Sequence, residues 1–275
     1  ERSLHGDLAF ALARDIQQGL REDLKVLLMS ATLSIKSLLN KIPDAVTLQS
    51  GGRSYPVEVE YLPISSLKQN TTFTPNRWRE HALKIIRQQS HEHQGSILVF
   101  LPGVADIRYL VESLITDLPD NMLLSPLYGE LSIAEQQKAI APAKKGINKL
   151  VLATNIAETS LTIEGINLVI DCGLEKVALY DPQVMTNKLE QQAISKASAI
   201  QRAGRAGRLM PGRCLRLYSK EDFERRNESN ISEIQQADLL PLLIESARWG
   251  VRQLNELPLI ELPIERKEFL AWQEL

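Results

Sequence analysis

Short apolar segments alternate with amphipathic ones through the middle of the chain, and this alternation predicts the fold. The apolar segments have the length and composition of buried strands, whereas the amphipathic ones repeat their apolar residues at helical spacing. In order they are strand 96–101, helix 104–116, strand 122–127, helix 132–140, strand 149–153 and strand 167–171. Strands that alternate with helices form a parallel sheet with right-handed crossovers. The pattern predicts an α/β domain with a parallel sheet, of RecA-like or Rossmann-like type.

The flanking segments predict further elements. Apolar residues recur every four positions at 3–20, which is typical of an amphipathic helix. Residues 49–54 form the most loop-like stretch, so we place a domain boundary there. The other predicted elements are a strand at 57–62, a helix at 75–89, a β-hairpin at 177–191, a strand at 212–218 and helices at 219–226 and 237–249.

Charge is unevenly distributed along these 275 residues. The net charge of −2 argues against a simple basic nucleic-acid-binding protein. However, residues 196–226 contain nine Lys and Arg against three Asp and Glu, whereas residues 227–275 contain four against nine. A local basic strip in a nearly neutral protein suits a cleft that binds phosphates better than a surface that coats DNA.

The composition also excludes several classes of protein. No apolar run approaches the ~18 residues of a membrane-spanning helix, and the N-terminus does not resemble a signal peptide, so we expect a cytoplasmic protein with no membrane partner. Cys172 and Cys214 lie far apart in strand-like runs, which predicts buried reduced thiols. The triplet 91–93 (His-Glu-His) has no further ligand spacing nearby, so no metal site is predicted.

The octapeptide 201–208 (Gln-Arg-Ala-Gly-Arg-Ala-Gly-Arg) contains three arginines at three-residue intervals. In a helix, Arg202, Arg205 and Arg208 would form one stripe of like charges, and each internal glycine would cost about 1 kcal/mol relative to alanine. Such a sequence is better explained by an anion opposite the arginines, since a guanidinium binds phosphate with a planar, permanently charged fork. The alternative is a solvated basic helix end.

Hydroxyl and amide side chains follow two of the predicted strands. Thr154 and Asn155 come directly after the strand at 149–153, and a turn rich in hydroxyls follows them. Neutral donors of this kind hold a nucleic-acid phosphate without reading its sequence, although they can also simply cap a helix. Ser30 and Thr32 follow the apolar run 25–29 in the same way, at the strand end where open α/β sheets bind ligands.

Several of these motifs resemble those of superfamily 2 helicases. The octapeptide resembles motif VI in the form typical of the DEAH-box group, and 153–163 resembles DEAH motif V at all eleven positions. Residues 98–103 resemble motif IV, 127–131 match the Leu-Tyr-Gly-x-Leu that follows it, and 30–32 resemble motif III. Within the family, the sequence is most similar to bacterial helicases of the HrpB type. The resemblance is close up to about Tyr218 and loose beyond it.

The resemblance implies a domain organisation. Residues 1–52 would be the C-terminal part of a first RecA-like domain, 53–226 a second RecA-like domain with an inserted β-hairpin, and 227–275 the start of a helical, winged-helix module. The opening Glu-Arg-Ser matches the residues that follow Asp-Glu-x-His in the family, so we expect the chain to begin just after that motif. Neither Asp-Glu-x-His nor Gly-x-x-x-x-Gly-Lys-Ser/Thr occurs in the sequence, and we expect the chain alone to hydrolyse no ATP.

The resemblance also implies roles in ATP hydrolysis. Arg205 and Arg208 match the arginine fingers that stabilise charge on the transferred phosphoryl group, and Gln201 matches the residue that orients the attacking water. ATP with Mg²⁺ would be bound mainly by the preceding lobe. Contacts from this chain to the nucleotide would come from four further positions: Thr162, Glu164, Ile140 and Gly204.

Two of these nucleotide positions depart from the family pattern. Glu164 stands where the family usually has Asp at the ribose. Ile140 stands where many members have an aromatic residue against adenine, and an isoleucine cannot stack as a ring does. We therefore expect weak discrimination between bases, which a strict adenine preference across a nucleotide panel would contradict.

Other residues are assigned to nucleic acid and to coupling. Thr154, Asn155 and Gly103 would hold the phosphates of one strand, most simply single-stranded RNA, while Ser30 and Thr32 would link the nucleotide state to domain movement. Two alternatives remain open from the sequence: a non-catalytic RecA-like module that binds nucleic acid or protein, and a DNA-directed translocase of the same superfamily.

Overall fold

The computed structural model describes residues 2–29, 39, 41–48, 55–64, 77–158, 163–181 and 184–274. Among them, the helices are α1 (Leu4–Gly19), α2 (Arg77–Glu92), α3 (Val104–Leu114), α4 (Ile133–Ile140), α5 (Lys196–Gly204), α6 (Lys220–Arg225), α7 (Leu240–Trp249) and α8 (Glu265–Glu274). The strands are β1 (Val57–Tyr61), β2 (Ser96–Phe100), β3 (Met122–Leu127), β4 (Asn148–Ala153), β5 (Ile166–Asp171), β6 (Leu174–Asp181), β7 (Thr186–Ala193) and β8 (Gly212–Arg216).

Six of the strands form one sheet, in the order β1-β8-β5-β2-β4-β3. Every pairing in this sheet is parallel, with Leu98 of β2 opposite Val151 of β4 on one side and Val169 of β5 on the other. The predicted α/β fold with a parallel sheet is therefore confirmed. The strand predicted at 212–218 lies inside the sheet as β8, and β1 is the edge strand beside it.

Both faces of the sheet are covered by helices. Alternate residues of a strand point to opposite faces, and in β2 Ile97 and Val99 pack with apolar side chains of α2 and α3. Leu98 and Phe100 pack on the other face with Ala139 of α4 and with Ala203 at the end of α5. This burial on both faces explains why the strands are continuous apolar runs rather than alternating ones.

The direction of the strands decides where the predicted site residues lie. All six strands end at the same edge, and in open α/β sheets ligands bind in the crevice at that edge. Gly103 follows β2, Thr154 follows β4 and Asp171 ends β5, so the three lie along it. The main chain links two of these strand ends, since Leu101 N donates to Ala153 O at 2.8 Å.

The arginine octapeptide is only partly helical. Helix α5 begins after the N-cap residue Ser195, whose hydroxyl accepts from Ser198 N, and it ends at Gly204. Arg205 is its C-cap and Arg208 lies beyond it. The three arginines therefore do not share one helical stripe, because the helix ends before Arg205 and Arg208.

The chain divides into two compact units. The sheet and its helices make up residues 51–176 and 191–230, and the other unit comprises residues 1–50, 177–190 and 231–275. The predicted β-hairpin is confirmed as β6 and β7, which pair as a separate two-stranded sheet. Its outer part belongs to the second unit, where Tyr180 N donates to Gln236 O at 3.1 Å.

The second unit has its own apolar core. It joins Leu4 and Leu8 of α1 to Leu242 and Leu243 of α7 and Ala271 of α8. Arg2 adds polar contacts within this unit by forming ion pairs with Asp7 and Glu261, both at 3.0 Å. Segments that we assign to two different domains thus pack together, and the assignment remains a prediction. None of the helices that the structure describes has the length and apolarity required to cross a membrane.

Candidate functional site

Arg205 and Arg208 line a small pocket on the face of the sheet covered by α5. The other lining residues are apolar: Leu98, Ala157, Ile163 and Ile166. Only 9% of Arg205 is exposed, whereas Arg208 reaches solvent. Burial, together with the neighbouring Arg208, lowers the pKa of Arg205 to about 10, while Glu158 opposes the change. Arg205 still carries its charge at neutral pH, so two adjacent cations, one of them desolvated, favour an anion in this pocket.

The main chain around Glu158 holds Arg205. The Nη2 of Arg205 donates to the carbonyl oxygen of Glu158. This carbonyl ends a short 3₁₀ turn, Asn155–Ala157, that begins directly after Thr154. Arg205 therefore contacts the same segment that carries the predicted nucleic-acid residues.

Arg202 has a different environment from the other two arginines. It is completely buried, and its Nε donates to Glu158 Oε2 and its Nη1 to Asp171 Oδ1, both at 3.0 Å. Its guanidinium carbon lies 4.9 Å from the centre of the Phe100 ring. Arg202 is thus an internal ion-pair residue, and the anions opposite it are carboxylates of the protein itself.

Opposite charges hold Arg202 in its ionised form. Burial alone would lower its pKa, but Asp171 and Glu158 outweigh burial and raise the pKa above its usual value. Asp171 is itself completely buried, and it accepts from Gly173 N at 2.9 Å and from the Tyr218 hydroxyl at 3.1 Å. The cluster thus pairs the Arg202 cation with two carboxylates, as a buried charge requires.

The predicted nucleic-acid residues lie together at the carboxyl edge of the sheet. Thr154 is half-buried and Asn155 is exposed, while Gly103 is buried in the turn before α3. The Thr154 side chain makes no capping bond to the 3₁₀ turn, so capping does not account for its hydroxyl. The aliphatic part of Lys176 lies so close to Gly103 that a Cβ there would be only 3.0 Å from it.

The predicted nucleotide-binding residues are more scattered. Gly204 and Glu164 are exposed, Gln201 is half-buried, and Ile140 is half-buried against the apolar core. Among the residues that the structure describes, none of these four lines the pocket of Arg205 and Arg208. Thr162, Ser30 and Thr32 lie outside the described residues.

Two buried carboxylates of the site were missed from the sequence. Glu158 is the only acidic residue in the hydroxyl-rich motif 153–163, and Asp171 is the one charged residue of a mostly apolar strand. A charged residue in such surroundings requires a partner. This requirement could have indicated from the sequence that Glu158 and Asp171 form buried ion pairs. Both cysteines are buried and free, as predicted. Within the part of the chain that the structure describes, no three His, Cys, Asp or Glu side chains are grouped to hold a metal ion.

Comparisons with known proteins agree with the fold and the motifs. Residues 79–210 match the family model of the helicase conserved C-terminal domain. The chain is 47% identical over 263 residues to the ATP-dependent RNA helicase HrpB of Escherichia coli K12, which covers 96% of this chain and 32% of that protein. It is 36% identical to the human probable ATP-dependent RNA helicase DHX34, over 96% of this chain and 23% of that protein.

Solved structures show the same relationship in three dimensions. The crystal structure of the Escherichia coli DEAH/RHA helicase HrpB superimposes with a TM-score of 0.89 at 45% identity, over 99% of this chain and 34% of that one. A second structure of HrpB, described as a DExH-box NTPase, gives a TM-score of 0.86. The chain spans about a third of the length of HrpB. The resemblance seen in the motifs is thus confirmed: residues 79–210 match the helicase conserved C-terminal domain, and the chain is similar along nearly its whole length to the DEAH/RHA helicase HrpB.

Proposed function

We propose that this chain supplies the second RecA-like domain of an ATP-dependent RNA helicase that translocates on, unwinds or remodels RNA. The observation that carries the proposal is the pocket where Arg205 and Arg208 lie side by side, next to the segment that bears Thr154 and Asn155. The names of the relatives HrpB and DHX34 support ATP and RNA as the ligands. Residues 1–52, 53–226 and 227–275 are proposed as the end of the first RecA-like domain, the second RecA-like domain and the start of the helical module.

The arginine pocket fits the phosphates of ATP. Arg205 is buried beside a second cation, Arg208, and burial and this neighbour both lower its pKa. When bound, ATP would supply a phosphoanhydride bond whose hydrolysis drives movement. Arg205 and Arg208 would stabilise negative charge on the transferred phosphoryl group, and Gln201 would orient the attacking water. Mg²⁺ would arrive with the nucleotide, held mainly by the preceding lobe.

The remaining predicted contacts concern the nucleoside and the coupling of nucleotide state to movement. Thr162 and Glu164 are proposed to contact the ribose, and Gly204 to allow close approach of the nucleotide. Ile140 is proposed to lie at the base. Ser30 and Thr32 are proposed to couple the nucleotide state to domain movement.

The carboxyl edge of the sheet suits the backbone of a single nucleic-acid strand. Thr154 and Asn155 offer neutral donors there, and the turn at Gly103 is proposed to hold the same strand. Contacts of this type position a strand without reading its bases, so they are compatible with RNA or DNA. RNA is proposed on the names of the relatives. A cytoplasmic location is proposed as well, supported by two buried free thiols, which are usual in reducing compartments.

Arginine substitutions in the full-length protein test this function. Arg205→Ala and Arg208→Ala are each expected to lower the RNA-stimulated ATPase rate by about a thousandfold or more, because a finger of this kind is worth that much in related enzymes. Arg213→Ala is the matched control, since Arg213 is an exposed arginine paired with Glu60 at 3.2 Å. Its ATPase should equal that of the wild type. Phosphate release is measured with RNA, with DNA and without nucleic acid.

The same measurements separate the alternative functions. Unchanged ATPase in both finger variants would favour a non-catalytic RecA-like module. Stimulation by DNA but not by RNA would favour a DNA-directed translocase.

A further inference from the structure

Glu158 occupies the junction between the two predicted functional regions of the sheet unit. Its N–H donates to Asn155 O at 2.9 Å, which closes the 3₁₀ turn that follows Thr154. Only 7% of Glu158 is exposed, so its carboxylate points into the protein. Glu158 is not among the residues proposed to bind ligands or to catalyse. A buried carboxylate is stable only where it has partners.

The side chain of Glu158 binds one face of α5. Ser198 Oγ donates to Oε1 at 2.6 Å, and Arg202 Nε donates to Oε2 at 3.0 Å. Ser198 and Arg202 are four residues apart, so they lie one above the other on the helix. The carboxylate therefore holds the 3₁₀ turn against α5 at two positions that are about one helical turn apart.

The main chain of Glu158 makes the third connection. Its carbonyl oxygen accepts from Nη2 of Arg205, the residue that caps α5. One residue thus contacts the turn of the predicted nucleic-acid site, the helix that leads to the fingers, and one finger itself. A shift of this turn must move the acceptor of the Arg205 hydrogen bond with it.

The surroundings of Glu158 make this connection stiff. Arg202 is completely buried and is also held by Asp171 Oδ1 at 3.0 Å and Leu174 O at 3.2 Å. Water cannot replace a partner in such a cluster, and separating buried charges is much more costly than separating a surface pair. The turn and α5 should therefore move together when either of them is displaced.

We propose that Glu158 is a positioning residue that transmits phosphate binding at the Thr154–Asn155 turn to the Arg205 guanidinium. This inference rests on the proposed function. It goes beyond that function by assigning the coupling of nucleic-acid binding and ATP binding to a particular carboxylate. By linkage, a nucleotide that engages Arg205 must alter the affinity for RNA through the same residue.

The proposal is tested by measuring how strongly the binding of nucleotide changes the binding of RNA in the full-length Glu158→Gln variant. In this variant one amide atom can still accept from Ser198, but the amide N–H groups then oppose the N–H of Arg202. The affinity for a short single-stranded RNA is measured with and without the ATP analogue AMPPNP. In the wild type, the larger of the two Kd values should exceed the smaller by a factor of about 5 to 150, which is the range found for coupled sites. This factor is the coupling ratio. In Glu158→Gln it should fall below about 2, while the Kd without nucleotide stays within about threefold because the phosphate contacts remain.

Glu175→Gln is the matched control, because Glu175 is equally buried at 7% and bonds to Gln192 rather than to α5 or the turn. It should keep the wild-type ratio. If the Glu158→Gln variant does not fold, the Ser198→Ala variant is used instead. It removes a single hydrogen bond to Glu158 and should lower the ratio at least about threefold. Its control is Ser246→Ala, at another buried serine, which should leave the ratio unchanged.

The outcomes are distinct. A coupled wild type with equal coupling in Glu158→Gln, or in Ser198→Ala where that variant decides, would overturn this inference alone. A wild-type protein whose RNA affinity ignores AMPPNP would overturn both this inference and the proposed function.

Discussion

At the scale of single residues, burial separates arginines that look equivalent in the sequence. Arg202 and Arg216 have almost no exposed surface, whereas Arg208 reaches solvent. Arg216 lies against the rings of Tyr61 and Phe223, at 5.4 and 4.3 Å. Much of the basic strip at 196–226 is thus used inside the protein, and a count of basic residues overstates the charge available to phosphates.

Glu175 illustrates the cost of a buried charge and allows a test by pH. Burial raises the pKa of this carboxyl above its ordinary value of 4.5, and Glu158 and Asp171 add to the effect, while Gln192 and Arg202 oppose it. A raised carboxyl pKa means that the folded state holds its proton more tightly than the unfolded state. Stability is therefore lost as pH rises from about 4.5 through the folded pKa.

We expect Glu175→Gln to be more stable than the wild type at pH 8, by roughly 1 kcal/mol, and equally stable below about pH 4, where both side chains are neutral. Urea denaturation at the two pH values measures the difference. Glu112→Gln, at an exposed position of α3, is the control for the same substitution outside the core. A Glu175→Gln protein less stable than the wild type at pH 8 would contradict the prediction.

At the scale of elements, the glycines of the octapeptide serve different purposes. A Cβ at Gly207 would lie 2.6 Å from the carbonyl oxygen of Tyr55, next to the start of β1. The main chain joins these segments, since Tyr55 N donates to Gly207 O at 2.9 Å. At Gly204, which ends α5, no other described residue lies within 4 Å of the corresponding atom, apart from chain neighbours and the backbone of the helix itself. Gly207 is therefore required for packing, whereas Gly204 is not.

Alanine substitutions distinguish the two glycines. Gly207→Ala should lower the free energy of unfolding by about 1–3 kcal/mol, because the methyl group must displace the backbone before β1. Gly204→Ala should be neutral or stabilising by up to about 1 kcal/mol, since alanine favours helix. Chemical denaturation of both variants measures the effects. Equal stabilities would show that the close contact at Gly207 is relieved without cost. A loss of ATPase in a stable Gly204→Ala would support its contact with the nucleotide.

At the scale of the whole molecule, the sheet unit carries the polar side chains of Thr154 and Asn155 and the arginines Arg205 and Arg208, but its sequence contains no phosphate-binding loop of the Gly-x-x-x-x-Gly-Lys-Ser/Thr type. Its arginines can stabilise charge that develops on a phosphoryl group, yet they do not position a triphosphate by themselves. In the proposed function, catalysis therefore requires residues contributed by another lobe.

The 275-residue chain alone is expected to release no more phosphate from ATP than a reaction without protein, whether RNA is present or not. The full-length protein, assayed in parallel, should release phosphate and should respond to RNA. Phosphate release that rises in proportion to the concentration of the isolated chain would contradict this expectation and would place a complete site within these residues.

The sequence by itself determined the elements and their class. Strand and helix periods are local properties, so the runs at 96–101, 122–127 and 149–153 were predicted within a residue of β2, β3 and β4. Parallel topology followed from the alternation of the elements, and the family from contiguous motifs. Gly103, Thr154 and Asn155 could be placed at one edge, because the ends of parallel strands meet there.

Only the tertiary structure decided which charged residues meet inside the protein. Arg202 reaches Glu158 and Asp171 across 44 and 31 positions of sequence, and the packing of α1 with α7 and α8 joins opposite ends of the chain. No local pattern encodes such pairs, since each joins residues of separate elements that only the folded chain brings together. The physical reason is that burial, which turns an arginine from a ligand-binding residue into a structural one, is a property of the packed layers and not of the motif.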